Sequence, residues 1–386
     1  MSNYGWDEPL VDQTPEGVRP QPGDCSLLWG ENKHRATLVW RDPHACKALK
    51  LRQRSSCLEW SSEYEAFLRE CRLLPVVRLL GCTPCKELVT ALIERWRPET
   101  NTFHLVPGEA TITLEDVEVL TGLPIDGVPV TVAVDRRNPA LICEELLGAR
   151  PPAGSCTGQS VKISWVKGMF DRLPAGAPAD VVLRYARAYT WVLLGAILLA
   201  DRTGDLIPVH LLRLIGDSAV ASTFSWGSAV LAWLYKAMGR AAFFTAGSQR
   251  GTGDLGGFTL LVQLWALERF PIIANRYVAG GDPPDADTVP RGVSWMSVIR
   301  RHQHRVAMKL EEIRYALDRN TEFVVRNLNL MYILSLIFLI LPYNIFINSP
   351  VDAVRLSRGG LSVGGRCVLA SRLSHVVHRL CLMAPS

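Results

Sequence analysis

Residues 179–200 read ADVVLRYARAYTWVLLGAILLA, and the fold turns on them. Val182, Tyr185, Tyr189, Val192, Ala196 and Leu199 recur at helical spacing along one side, and most of the remaining circumference is apolar too. A helix that is apolar all round either spans a bilayer or forms the centre of a packed bundle. The uninterrupted apolar run, 191–200, is too short for a hydrocarbon core that needs about 20 residues. The segment therefore predicts the central buried helix of a globular domain, ended by the turn residues DRTGD at 201–205.

The surrounding sequence extends this reading. Helical patterns begin near residue 61 and recur at 85–97, 225–242 and 257–270, and again in a last long helix over 293–319. In 85–97, Leu88, Leu92 and Trp96 fall on one stripe before Pro98 stops the helix. The expected fold class is mainly α, a multi-helix globular domain with a few short β segments near the N-terminal side. Residues 1–55, rich in Pro, Gly and charge, read as an extended or partly disordered arm, and 56–325 as the helical domain. The tail 326–386 is atypical, with a charge-free apolar run at 330–347. Its abrupt onset favours a retained intron or altered gene model, with a membrane anchor as the competing reading.

The composition excludes a disordered chain: of 386 residues, 48% are hydrophobic and 20% charged. A formal net charge of +5 is too small to announce nucleic-acid binding. Arginine far outnumbers the eight lysines, which suits buried ion pairs or an interaction surface. The first residues carry acids and prolines and no apolar core segment, so no secretory signal is expected, and in a cytoplasmic or nuclear setting the cysteines should be free thiols.

Four patterns raise specific chemistry. GTGDLG at 251–256 matches a dinucleotide fingerprint, but no clear strand precedes it and no acid follows at the ribose-binding distance, so it reads as a loop feeding a helix. Cys82 and Cys85 in GCTPCK could form a redox pair if PVVRLL before them were a strand; structural thiols are the preferred reading. Cys57 and Cys71 would complete a four-cysteine metal set, yet only one of the two expected C-x2-C knuckles is present, and no metal site is assigned. Arg301, Arg305 and Lys309 form a basic line on the last helix and are the candidate nucleic-acid contacts. No catalytic or cofactor-binding set emerges.

The segment ERWRPETNTFHLVPGEATITLEDVEVLTGLPIDGVPV, 94–130, looks at first like an active site. Read physically, it is a hinge: two short extended pieces around Pro107-Gly108, then a helix capped by Thr113 with Asp116 at the reciprocal position and stopped by Gly122 before Pro124. Its acids Glu115, Asp116 and Glu118 suit a helix N-terminus, so the stretch reads as structural framework, with a partner-facing surface as the lesser reading and His104 its most exposed candidate.

With RAYTWVLLGAILLADRTGD (187–205), FSWGSAVLAWLYKAMGRAAF (224–243) and LGGFTLLVQLWALERF (255–270), this segment resembles the plant mobile domain family, also labelled aminotransferase-like. The likeness covers about 60–325. Its framework would be Trp96, Arg97, Pro98, Phe103, Gly108, Thr113, Asp116, Gly122, Pro124, Gly127, Trp226, Gly227, Trp265, Glu268 and Arg269. The resemblance implies a helical domain found in transposable elements and in host nuclear proteins of the MAINTENANCE OF MERISTEMS type. It further implies roles in transposon silencing, gene expression and meristem maintenance, with nuclear, phosphatase-like partners. The pyridoxal chemistry in the alternative label needs a Schiff-base lysine, and none of the matched blocks supplies one except Lys236; a non-catalytic protein without cofactor is expected. The chain departs from the family pattern at Leu267, where a Trp is common, and after Leu317-Asp318, where an aromatic closing motif is missing.

Overall fold

Ala179–Val192 form a regular α-helix, and Leu193–Leu198 continue it as a π-helical turn in which the amide of Leu199 donates to the carbonyl of Leu194 at 2.7 Å. The wider turn sits where Gly195 meets Ile207: a Cβ at 195 would lie 2.7 Å from Ile207 Cγ2. Every residue from Ala188 to Ala200 is buried, so the segment is a core helix. Among the described residues it is the one helix long and apolar enough to cross a membrane, and 67% of that window is buried inside the protein.

The computed structural model describes residues 33–42, 44, 46–54, 57–131, 137–243, 253–278, 290–302 and 308–319. Within them the fold is mainly α. The helices are α1 (Arg35–Arg41), α2 (Glu65–Glu70), α3 (Leu74–Val77), α4 (Lys86–Ile93), α5 (Leu114–Thr121), α6 (Pro139–Leu147), α7 (Ile163–Phe170) and α8 (Ala179–Val192). They continue as α9 (Val209–Leu214), α10 (Ser218–Ala221), α11 (Trp226–Ala241), α12 (Thr259–Arg269), α13 (Pro271–Val278), α14 (Gly292–His302) and α15 (Leu310–Asp318).

Short strands stitch these helices together. β1 (Lys50–Leu51) runs parallel to β8 (Asp254–Leu255); β2 (Trp96–Arg97), β3 (Thr102–Leu105) and β4 (Gly108–Ala110) make one antiparallel sheet; β5 (Cys156–Thr157), β6 (Ser160–Lys162) and β7 (Leu206–Pro208) make another. Strands therefore also occur in the middle of the chain. There they clamp residues of the α8 turn, since Val161 pairs with Ile207.

The core gathers α4, α5, α8, α11 and α12 around Trp96, Trp191, Trp226 and Trp265, all fully buried. Full burial of such a side chain contributes about 1.5–3 kcal/mol or more. Phe103 stacks on Trp265 at 5.0 Å and meets Trp96 edge-on at 4.9 Å, which ties the first sheet to α12.

Three local expectations change. The helix of 85–97 ends at Ile93, and Trp96 lies in β2 opposite Phe103, so Pro98 is not what stops it. Part of PVVRLL is helical (α3), so no strand precedes Cys82. The helix expected over 293–319 is two, because Lys309 has an extended ψ of 151° ahead of α15.

Within the segment read as an N-terminal arm, α1 is anchored. His34 caps it by accepting from the Ala36 amide at 3.0 Å, and its Nε2 donates to the Trp96 carbonyl at 2.9 Å. Ala36 and Val39 are buried, and the Arg35 amide donates to the Ala242 carbonyl at 2.8 Å. The apolar run 330–347 lies outside the described residues.

Candidate functional site

Of the charged residues in 94–130, Glu94, Arg95, Arg97 and Asp116 are buried, whereas Glu109, Glu118 and Asp126 are exposed. Glu94 accepts from Arg314 Nε at 2.8 Å and Nη2 at 2.6 Å, and both side chains are buried. Next to it Arg95, also fully buried, pairs with Asp318 and donates to the Ala91 carbonyl at 2.6 Å. Asp116 closes the predicted capping box with Thr113, its Oδ2 accepting from the Thr113 amide at 2.9 Å, while its Oδ1 accepts from Arg269 at 2.5 Å. Glu268 accepts from Arg291 at 2.6 Å and from Trp295 Nε1 at 2.5 Å. Glu94, Asp116, Glu268 and Asp318 are thus paired with four arginines and a tryptophan.

Gly122, Gly127 and Gly227 of the framework hold close approaches. Gly122 caps α5 with φ +71°, and Gly127, at φ +114°, sits where a Cβ would come within 2.4 Å of the Thr223 carbonyl. The Gly227 amide donates to the Pro124 carbonyl at 2.8 Å, so 124–127 is seated against the start of α11. Trp226 Nε1 donates to the Ala221 carbonyl at 3.0 Å. Arg97 is buried in β2 ahead of Pro98, and Gly108 starts β4 at φ +132°.

Cys82 is buried and Cys85 half-buried, and burial pushes both thiols up, away from the reactive thiolate. The Cys85 amide donates to Gln263 at 2.7 Å, so the start of α4 is occupied by a side chain of α12. Cys57 reaches instead toward the Tyr189 carbonyl, 3.3 Å away, and among the described residues no group of three or more His, Cys, Asp or Glu side chains is arranged to hold a metal ion.

Arg301 lies in α14 and the exposed Lys309 precedes α15, so the two do not share one helical face; Arg305 lies outside the described residues. His104 is exposed on β3, and burial of part of its ring with the Arg97 charge holds its pKa below the ordinary histidine value.

A cavity of about 240 Å³ opens between the end of the core helix and α11. Ala200, Asp201, Arg202, Trp233, Arg240 and Gly256 are among its lining residues. The DRTGD turn forms one wall: Asp201 Oδ1 accepts from the Thr203 amide at 2.8 Å, its hydroxyl at 2.7 Å and the Gly204 amide at 3.0 Å. Opposite, Trp233 Nε1 donates to the Ala200 carbonyl at 3.0 Å.

Residues 77–327 match the plant mobile domain. The chain belongs to the plant mobile domain family. It is 37% identical to Protein MAIN-LIKE 2 of Arabidopsis thaliana over 64% of this chain and 37% of that protein. It is 33% identical to Protein MAINTENANCE OF MERISTEMS of the same plant, over 76% of this chain and 58% of that protein. A third relative, the Serine/threonine-protein phosphatase 7 long form homolog of Arabidopsis thaliana, is 34% identical over 74% of this chain and 21% of its own length. The chain thus spans between about a fifth and three fifths of these curated relatives. No solved structure matches it.

In this plant mobile domain the partners Arg314, Asp318 and Arg291, and the cavity around Trp233, were not visible in the sequence. Asp116 with Arg269 and Glu94 with Arg314 lie 153 and 220 residues apart, beyond any local pattern. The one available signal was an excess of arginine over lysine, which fits bidentate buried pairs but names no partner.

Proposed function

We propose that this plant mobile domain is a non-catalytic interaction and regulatory module of the nucleus, acting in transposon silencing, gene expression and meristem maintenance. The inward-facing ion pairs carry this reading: Glu94, Arg95, Asp116, Glu268 and Arg269 are spent on the interior, where they fix the scaffold. Recognition then falls to the outer surface, including exposed His104 on β3. Kinship with Protein MAINTENANCE OF MERISTEMS supports the nuclear and meristem assignment, and the phosphatase-named relative supports a phosphatase-like partner.

Affinity purification of the full chain from plant nuclei tests the reading. A reproducible nuclear protein partner is expected; recovery of none counts against it.

The alternative is a nucleic-acid-binding accessory protein of a mobile element. Exposed Lys309 favours it. Binding that steepens with falling salt, and loses slope in an Arg301→Ala/Lys309→Ala variant, is its expected signature.

A further inference from the structure

The cavity beside Trp233 holds cations that the scaffold does not use. Its two carboxylates are already engaged: Asp201 Oδ1 is saturated by the turn it caps, and Asp254 pairs with Arg52 at 3.0 Å. The cations are not. Arg202 has no ion-pair or hydrogen-bond partner among the described residues, and Arg240 uses only Nε, on the Lys236 carbonyl at 3.3 Å. Both arginines are exposed, and exposed Lys236 places its Nζ 6.0 Å from the Trp233 ring centroid. Two guanidinium forks and an ammonium therefore stand around an aromatic wall without an ion-pair partner among the described residues.

The wall is fixed in advance. The Nε1 bond to Ala200 holds one edge of Trp233, and Gly257, at φ +78°, brings its backbone close enough that a Cβ there would lie 3.6 Å from the indole. A preset ring loses little freedom when a planar ligand packs on it, and unpaired arginine forks match phosphate oxygens two at a time. The volume, about 240 Å³, falls below the usual range for whole-cofactor pockets and suits one planar group with its phosphate at the mouth.

We propose that this cavity binds a nucleoside phosphate, with the base against Trp233 and the phosphate held by Arg202, Arg240 and Lys236. The glycine run is not the phosphate loop, because Asp254–Leu255 form β8 against β1 and present no helix N-terminus. The phosphate instead meets side-chain cations. The ligand is either a free mononucleotide or an unpaired nucleotide of a single strand, since both present the same base and phosphate. The proposal stands apart from the identity of any nuclear protein partner.

The test uses the full chain with two probes, adenosine 5′-monophosphate and a short fluorescein-labelled oligothymidylate, titrated at low and at physiological salt. Wild type is expected to bind at least one of them. Arg202→Ala/Arg240→Ala is expected to weaken binding about tenfold or more; for the oligonucleotide it should also lower the slope of log K against log salt by up to about 0.7, the value for the one phosphate that loses its arginines. Trp233→Leu is expected to weaken binding and leave that slope in place. Both arginines are exposed, so an unchanged unfolding temperature confirms that the double variant is folded. Binding of the mononucleotide assigns a free nucleotide; binding of the oligonucleotide alone assigns a strand. Absence of binding to both probes at low salt overturns the proposal. So does binding that the double variant retains unchanged, or a phosphoserine peptide that binds more tightly than either probe.

Discussion

Glu94 and Arg314, 220 residues apart in sequence, meet through two hydrogen bonds of 2.8 and 2.6 Å with their side chains 0% and 3% exposed. Burial opposes the guanidinium charge, but the hydrogen bonds and charge of Glu94 outweigh it, and Arg314 holds its proton more tightly than an ordinary arginine. Its second Nη2 bond, to the Cys46 carbonyl at 3.2 Å, also fastens the segment after α1. Removing one partner strands the other in the interior. Glu94→Ala is expected to cost about 3–5 kcal/mol in chemical denaturation, and Glu94→Leu/Arg314→Met to recover part of it. A loss below about 1 kcal/mol in the single variant would contradict this account.

His34 makes stability depend on pH. Burial first, and then the Arg97 charge, push its pKa down to about 3 from an ordinary 6.5. Between those values the unfolded chain takes up a proton that the folded chain refuses, so stability falls as pH drops from 6.5 toward 3, by at most about 1.4 kcal/mol per pH unit. His104 and His210 are shifted in the same direction, so the relevant quantity is a difference. Urea midpoints of wild type and His34→Gln are expected to converge at acid pH; parallel curves would remove His34 as the cause.

Thr113 and Asp116 separate capping from ion pairing. Thr113→Ala removes a side-chain cap and should cost about 1 kcal/mol. Asp116→Ala removes the reciprocal cap and also takes from the partly buried Arg269 its 2.5 Å partner, so its cost should exceed the cap contribution by about 1 kcal/mol or more. Equal losses in thermal unfolding would mean that the Arg269 pair contributes nothing.

Gly127 tests close packing in the 94–130 segment. At φ +114° with the Thr223 carbonyl 2.4 Å from a built Cβ, Gly127→Ala incurs both backbone strain and a clash. A loss of roughly 2 kcal/mol or more is expected. Gly108→Ala, at φ +132° with open space around it, should show the strain alone and cost less.

Cys82 and Cys85 should be slow nucleophiles. Burial pushes both thiols up, so few thiolates exist near neutral pH. Alkylation of the native protein at pH 7 is expected to be slower at these two positions than with a free thiol in solution, rising on unfolding. A fast equivalent mapping to either residue would restore the redox reading.

Local pattern determined much of this protein. Apolar periodicity placed α4, α8, α11 and α12 but not α1, α6, α7, α9, α10 or α13, and the 94–130 segment announced its own capping box and its Gly122 stop, because caps and turns are decided by residues within one helical turn. The buried character of 179–200 was legible for the same reason, since an apolar circumference depends on no partner. The π-helical turn was not, because it answers to Ile207 across the core. Trp96 carried a helical pattern into a strand, since pairing with Phe103 outweighed the spacing. The 293–319 stripe likewise read as one helix where the chain turns extended at Lys309.

What only the tertiary structure decided is which charges meet. Sequence showed an arginine-rich chain with scattered acids; folding brought Glu94 to Arg314 and Asp116 to Arg269 while leaving Arg202 and Arg240, beside Trp233, without an ion-pair partner among the described residues. The physical reason is range: capping acts over three residues along the chain, whereas an ion pair acts over a few ångströms in space and carries no record of the sequence distance it spans.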